Sequence, residues 1–325
     1  MENRSPYRAD RTITAWNLDQ REVIRQPMSR STGHWVGAPS IFVDGEDVYL
    51  TYRYRRPRGE GRGFEARLAR SVDGRQFEDI WTIHQDQLST PSMERFAMTR
   101  VGDSYLLYVS YVDPEDNRWR IDVLDAPKPD AFDPARRRPA LTAAQIGLEA
   151  AKDPVVFPAF GHLFMYVSVA ERQEQAEGMP QPDLHVSKDV FTTGVVYSGT
   201  GLAVSTDGRE WTWLGMALDP VPKAWDAYAT RVTSVLPMET GYLLFYDGSA
   251  AVAENYEERT GIALTTDLRH VTRLTPSGPR LTSPFAPGTL RYVDYAKRGQ
   301  ELFFYYEMVE ADGSHSLCLN VVPLG

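Results

Sequence analysis

Five short stretches of this chain repeat one pattern, three mostly apolar residues closed by an aromatic. They are Tyr49–Tyr52, Tyr105–Tyr108, Leu163–Tyr166, Tyr242–Phe245 and Leu302–Tyr305. The closing aromatics stand 56, 58, 79 and 60 residues apart. The long interval holds a polar stretch, Glu171–Asp183, rich in Gln, Glu and Pro; discounting roughly twenty inserted residues makes the period uniform. A unit of this size cannot bury its own apolar faces, so repetition obliges each unit to stack on its neighbours.

Other elements recur in phase. Upstream of each pattern lies a short strand candidate: Ala38–Val43, Glu94–Met98, Asp153–Phe157, Thr230–Val235 and Pro284–Val293. Downstream come Leu68–Gly74, Leu202–Gly208 and Ile262–Leu268, with a weaker Ile121–Ala126 in the second unit. Asp-Gly after an alternating run is a strong hairpin signal, and the aromatic strands Gln76–Ile80 and Glu210–Leu214 follow it. Each unit reads as four antiparallel strands. The fold class expected is all-β, a five-bladed β-propeller in a single domain, 1–325, with blades near 34–85, 92–135, 148–216, 226–275 and 281–325. The last unit ends at Leu324–Gly325 with no fourth strand, and the N-terminal strand expected at 11–18, carried by Thr12–Asn17, is assigned to close the ring and leave no free edge. Helix signals are sparse; Leu141–Ile146 is expected to make a turn or two.

Composition narrows the function. With 325 residues, 42% of them hydrophobic, the chain can fill a sizeable core, and a net charge of −9 leaves no basic footprint for nucleic acid. Neither an apolar run long enough for a membrane helix nor a secretory leader is visible, so a cytoplasmic protein is expected. Cys318 is the single cysteine, which excludes an internal disulfide. No phosphate-cradling glycine loop, zinc-ligand spacing or serine-nucleophile elbow occurs. No cofactor is expected beyond room for a structural ion on the ring axis, and nothing in the sequence sets the oligomeric state.

In such a ring the innermost strands converge on one axis, so polar residues at their entrances meet although distant in sequence. The five entrances read Ala38, Glu94-Arg95, Lys152-Asp153, Asp226 with Arg231, and a neutral Ser283-Pro284. Two carboxylates from adjacent units, Glu94 and Asp153, are what glycosidic cleavage needs: one protonates the leaving oxygen, the other activates water or attacks the anomeric carbon. Glu94 is assigned as general acid and Asp153 as base.

These features resemble the five-bladed propeller glycosidases, the group of arabinanases, β-xylosidases, fructosidases and β-mannoside phosphorylases (glycoside hydrolase families 43 and 130). Lys152-Asp153-Pro-Val-Val-Phe157-Pro158 resembles the Lys-Asp-x-x-Leu-Phe-Pro-Glu stretch of the phosphorylases, and Ser92-Met-Glu94-Arg95 stands where that family has Glu-Asp-Pro-Arg. The resemblance implies a small carbohydrate substrate and a site at the positions of Glu94 and Asp153. Two departures limit it. Ala38-Pro39 replaces the first-blade aspartate of arabinanases and fructosidases, and Ala159 replaces the glutamate that ends the phosphorylase motif.

Further substrate-binding candidates surround the pair. Arg95, Lys152, Asp226 and Arg231 are placed to orient a sugar; Arg53, alternating with Tyr52 and Tyr54, suits a hydroxyl, carboxylate or phosphate. Asp247 and the Glu254–Arg259 run, with Glu258, form a second acidic cluster. Glu307 and His315 would meet across a hairpin, and Trp35 offers a stacking face. The segment from Glu171 to about Tyr197, with His185 and Lys188, is expected to wall one side of the pocket. Three readings stay open: an inverting glycoside hydrolase on small oligosaccharides or glycosides, a phosphate-dependent phosphorylase, and a non-catalytic propeller binding a sugar or a protein.

Overall fold

The computed structural model describes residues 16–324. Among these the chain is all-β, with twenty strands and two four-residue helices, α1 (Ala143–Ile146) and α2 (Gln181–Leu184). Helix α1 forms where the sequence predicts a turn, because Thr142 and Gln145 make a reciprocal capping box.

Antiparallel neighbours follow chain order. The first group is β2 (Trp35–Asp44), β3 (Asp47–Arg55), β4 (Gly63–Ser71) and β5 (Glu78–His84). The second is β6 (Ala97–Val101), β7 (Ser104–Val112), β8 (Trp119–Ala126) and β9 (Arg138–Thr142). The third is β10 (Ala150–Ala159), β11 (His162–Arg172), β12 (Val196–Ser205) and β13 (Thr212–Leu218). The fourth is β14 (Ala229–Met238), β15 (Gly241–Ser249), β16 (Arg259–Thr265) and the two-residue β17 (Thr272–Arg273). The last is β18 (Leu290–Arg298), β19 (Glu301–Val309) and β20 (His315–Pro323), and β20 pairs antiparallel with β1 (Glu22–Arg25) from the other end of the chain.

That pairing strand differs from the expected one. Residues 12–15 lie outside the described residues, and the two that follow are not strand. Trp16 is drawn into the core, stacked on Phe304 with ring centroids 4.4 Å apart, and the Asn17 side chain accepts the Asp19 N–H (3.0 Å) to cap a single turn.

Apolar layers fill the space between successive groups. Leu68 and Ile83 meet Leu107 and Leu124; Tyr108 and Ile121 meet Met165 and Ala203; Leu202 and Tyr166 meet Leu244 and Ala263. Phe245 and Ile262 meet Phe304 and Leu302, and Phe303 and Leu319 meet Leu50 and Tyr52. First strands pack on one another in the same order: β2 on β6, β6 on β10, β10 on β14, β14 on β18, and β18 on β2.

Two recurring sequence features turn out to be one interaction. The hydroxyl of Tyr108 donates to the Gly208 carbonyl, that of Tyr166 to Leu268, and that of Tyr305 to Gly74, each at 2.6 Å. The second-strand aromatic of one group thus bonds the turn between third and fourth strands of the next. Those turns are built alike: Ser71 Oγ accepts the Asp73 and Gly74 N–H groups, and Asp73 Oδ1 accepts those of Arg75 and Gln76. The first repeat is one residue out of phase, since strand register aligns Thr51, not Tyr52, with Tyr166.

Candidate active site

Three of the five first strands share a backbone device. Register breaks between Gly37 and Ser40 in β2, Lys152 and Val155 in β10, and Arg291 and Asp294 in β18. Each break holds a non-glycine residue in left-handed backbone: Ala38 (φ 52°), Asp153 (φ 54°) and Tyr292 (φ 55°). That conformation costs on the order of 1–3 kcal/mol per residue, and bulges of this kind re-aim side chains. Here they turn the bulge N–H toward the neighbouring group. Ala38 N–H donates to Glu307 Oε2 (3.1 Å), Asp153 N–H to Ser110 Oγ (3.2 Å), and Tyr292 N–H to Asp247 Oδ1 and Oδ2 (3.1 and 3.0 Å). Asp247 and Glu307 face Arg231 and Arg291 across their hairpins, the positions held by Arg53 and Ser168 in β3 and β11.

A buried charged network results. Glu94 accepts Arg53 Nε (3.0 Å), has Arg53 Nη2 at 3.0 Å and Arg55 Nη1 at 3.5 Å in ion-pair range, and accepts the Tyr292 hydroxyl at 3.3 Å. Glu307 accepts Arg291 Nε and Nη2 (3.1 and 2.8 Å) and lies 2.7 Å from His315 Nδ1. Glu258 joins Arg231 Nη1 to Arg291 Nη1, both at 2.6 Å. Gly37 lies against Glu307: a Cβ there would stand 2.2 Å from Oε2. The chain segments of the two predicted carboxylates meet: the N–H of Arg95, the residue after Glu94, donates to Asp153 Oδ1 (3.3 Å). Lys152 Nζ stands 3.0 Å from Asp153 Oδ2, off the axis of a hydrogen bond.

This environment drives the carboxyl groups apart in proton affinity. Burial pushes Glu94 up, but Arg53, Lys152, Arg55 and Arg291 outweigh it and hold the carboxyl well below its usual range. Burial is likewise overcome at Glu258, brought to about 2 by Arg291 and Arg231, and at Glu307, held far down by Arg291 and Arg53. Asp247 goes the other way: burial, reinforced by the nearby Glu258, raises it well above the ordinary aspartate value. Glu94, expected as the general acid, thus sits among cations that favour its ionised form, whereas the surroundings of Asp247 favour the protonated form.

The remaining expected residues divide. Arg53, Lys152, Arg231, Asp247, Glu258, Glu307 and His315 belong to the network, and Trp35 stacks flat on His315 with centroids 4.2 Å apart. Arg95 is committed elsewhere, to the Thr233 carbonyl (2.6 Å) and Asp294 (2.7 Å). Asp226 is bound by Arg273 Nε (2.7 Å) and the Tyr246 hydroxyl (3.1 Å), apart from the other carboxylates. The sequence reading missed Arg291 and Tyr292, because it began the fifth inner strand at Pro284 instead of Leu290. The signal that could have found Arg291 is a charge set near the start of a strand, as Arg231 is in β14.

Three loops roof the network. Arg62, between β3 and β4, and the Tyr256 hydroxyl, from the loop before β16, both bond Asp189 Oδ2, and Arg62 Nη1 also donates to that hydroxyl (2.9 Å). Trp119 Nε1 donates to Asp189 Oδ1 (3.2 Å). The 171–197 segment does cover this side, but through Asp189 and Phe191, whose ring lies under Lys152 and Arg231. Its His185 bonds Glu149 instead (3.0 Å), and Lys188 offers only its carbonyl, to Arg62 (3.0 Å). Surface hollows of about 310 Å³ beside Arg21 and about 370 Å³ beside Phe160 do not reach the network.

No protein-family model and no curated protein matches the chain. Solved structures do. The complex of BT0996 with RGII superposes with a TM-score of 0.70 at 12% identity, covering 99% of this chain and 96% of that one. A glycoside hydrolase family 43 enzyme from Xanthomonas citri, complexed with xylotriose, gives 0.61 at 14%, covering 97% and 92%. The β-1,2-mannobiose phosphorylase of Listeria innocua, with β-1,2-mannobiose, gives 0.59 at 15%, covering 96% and 94%. At such identities the likeness is one of fold, that of the propeller glycoside hydrolases and phosphorylases.

Proposed function

We propose, from the fold shared with propeller glycoside hydrolases, that this protein cleaves glycosidic bonds of small oligosaccharides or glycosides. The reading takes the strand groups as five blades of one domain around one axis, with β1 as the last blade's fourth strand closing the ring. The observation that carries it is the opposed pair on Tyr292: its N–H bonds Asp247, whose proton affinity burial raises, while its hydroxyl bonds Glu94, whose proton affinity the surrounding cations lower. One carboxyl kept as an acid and another as a base is the division that glycoside hydrolysis uses. In this scheme Asp247 protonates the leaving oxygen. Glu94, with Asp153 beside it, activates water, and Arg231 and Arg291 fix the sugar. The two carboxyls lie at opposite ends of a tyrosine, which favours inversion over direct attack. No cofactor takes part, and the protein works in the cytoplasm.

The test is turnover of a panel of aryl glycosides and of xylo-, arabino- and manno-oligosaccharides, with and without phosphate and with EDTA. Cleavage is expected without phosphate and unaffected by EDTA, with the first product the inverted anomer by proton NMR. Asp247→Asn and Glu94→Gln should each lower kcat by about 10²–10⁴-fold. Cleavage only with phosphate would make the protein a phosphorylase. Sugar binding without any product, unchanged in both variants, would make it a binding propeller.

A further inference from the structure

The roofed network has a corner rich in buried donors and short of acceptors. Arg55 is 4% exposed and its guanidinium lies between two rings, 4.2 Å from the Trp35 centroid and 4.0 Å from that of Tyr256. Its Nη1 makes no hydrogen bond, and neither does the adjacent Trp35 Nε1. Among the described residues the carboxylate in ion-pair range of Arg55 is Glu94, at 3.5 Å, and Glu94 already serves Arg53 and the Tyr292 hydroxyl. Arg53 Nη1 and Nη2 also lack a hydrogen bond, lying off-axis from Glu307 and Glu94. Buried donors left this way are costly, so a site that keeps them is short of an acceptor.

Charge points the same way. Burial pulls the Arg55 pKa down despite Tyr256 and Glu94, whereas Arg53, Arg62, Arg231 and Arg291 are all raised by their carboxylates. Arg55 is the under-compensated cation of this set. Its outer cover, Tyr256, is partly exposed and belongs to the loop before β16, so it is the ring that can leave without unpicking a strand.

We propose that the Trp35–Arg55–Arg53 corner is a subsite for an anionic oxygen group, either a carboxylate carried by the sugar or a free oxyanion such as phosphate, reached when Tyr256 swings off Arg55. The planar guanidinium suits a two-oxygen anion, and the indole N–H supplies a further donor. The inference deepens the glycoside reading by naming the substrate's charge, and rests on that reading for the sugar alone.

Calorimetric titration of the full chain tests it, using glucuronate and galacturonate, their neutral parents glucose and galactose, and inorganic phosphate. At least one anion should bind about tenfold or more tighter than the neutral sugars, and Arg55→Met should shrink that preference to within about twofold. Trp35→Phe, which keeps the ring and removes the donor, should give an intermediate preference and serves if the arginine variant does not fold. A uronate preference assigns the corner to the substrate's carboxylate; phosphate binding alone assigns it to a free oxyanion. Equal binding of charged and neutral ligands, no anion binding, or a preference unchanged in either folded variant overturns the proposal. Cleavage of neutral glycosides alongside any such result would leave the glycoside reading standing, whereas Arg55-dependent anion binding without cleavage of any glycoside would sink only that reading.

Discussion

Asp247 and His315 make the protein's acid–base behaviour testable side chain by side chain. An aspartate whose folded pKa is raised costs stability once its unfolded counterpart ionises near pH 4, and the cost grows as pH rises toward the folded value. Asp247→Asn keeps an acceptor for the Tyr292 N–H and removes that cost. Its melting temperature should gain on that of the unaltered protein as pH rises above the ordinary aspartate value; a difference that does not grow with pH would place an ionised carboxylate there. His315 acts with opposite slope. Burial lowers it from 6.5 to about 4, so the unfolded chain binds its proton first, and stability on the order of 3 kcal/mol drains away as pH falls through that window. Gly37→Ala is a steric counterpart. A methyl group there overlaps Glu307, which must withdraw from Arg53, Arg291 and His315. A loss of about 3–5 kcal/mol in denaturant unfolding is expected, the cost of breaking a buried charged pair. At this scale the sequence was legible where a charge interrupts an apolar strand, as at Glu94, Asp153 and Arg231. It was opaque where strand phase decides the matter: Arg291 and Tyr292 look like ordinary strand residues until the bulge turns them.

Strands were the most readable level, because alternating apolar residues closed by Asp-Gly turns specify both length and direction. Expected segments at Leu68–Gly74, Leu202–Gly208 and Ile262–Leu268 fall in β4, β12 and β16 and their turns. At the N-terminus most of the expected strand lies outside the described residues; within them Trp16 is buried against Phe304 and Tyr306, and the short Glu22–Arg25 pairs with β20. Deleting residues 1–25 removes both the plug and the pairing partner. Calorimetry should show a lower melting temperature, and light scattering a concentration-dependent association through the bared β20 edge. A monodisperse truncated protein that melts unchanged would show that β1 is dispensable.

Across the whole molecule, several contacts of the site join residues that the chain keeps far apart. Arg53 meets Glu307, the Ala38 N–H meets the same carboxylate 269 residues away, and the Tyr292 hydroxyl reaches Glu94 across 198. The period of the repeat made this convergence foreseeable. The roof was foreseeable only as a segment, 171–197, and not in its residues, because Asp189 and Tyr256 come from stretches outside the repeat, where nothing sets their direction. Contacts of such long range form late, since the loop-closure entropy must be met before they contribute. On the proposed function, activity would serve as a clock for folding. In a refolding time course, tryptophan fluorescence should recover first, as neighbouring groups collapse, and activity only with a slower final phase, because no partial assembly contains a complete set of charges. A cell would then release no half-made site of weak or altered specificity: if the proposed function holds, the molecule is silent until its first and last strands have met.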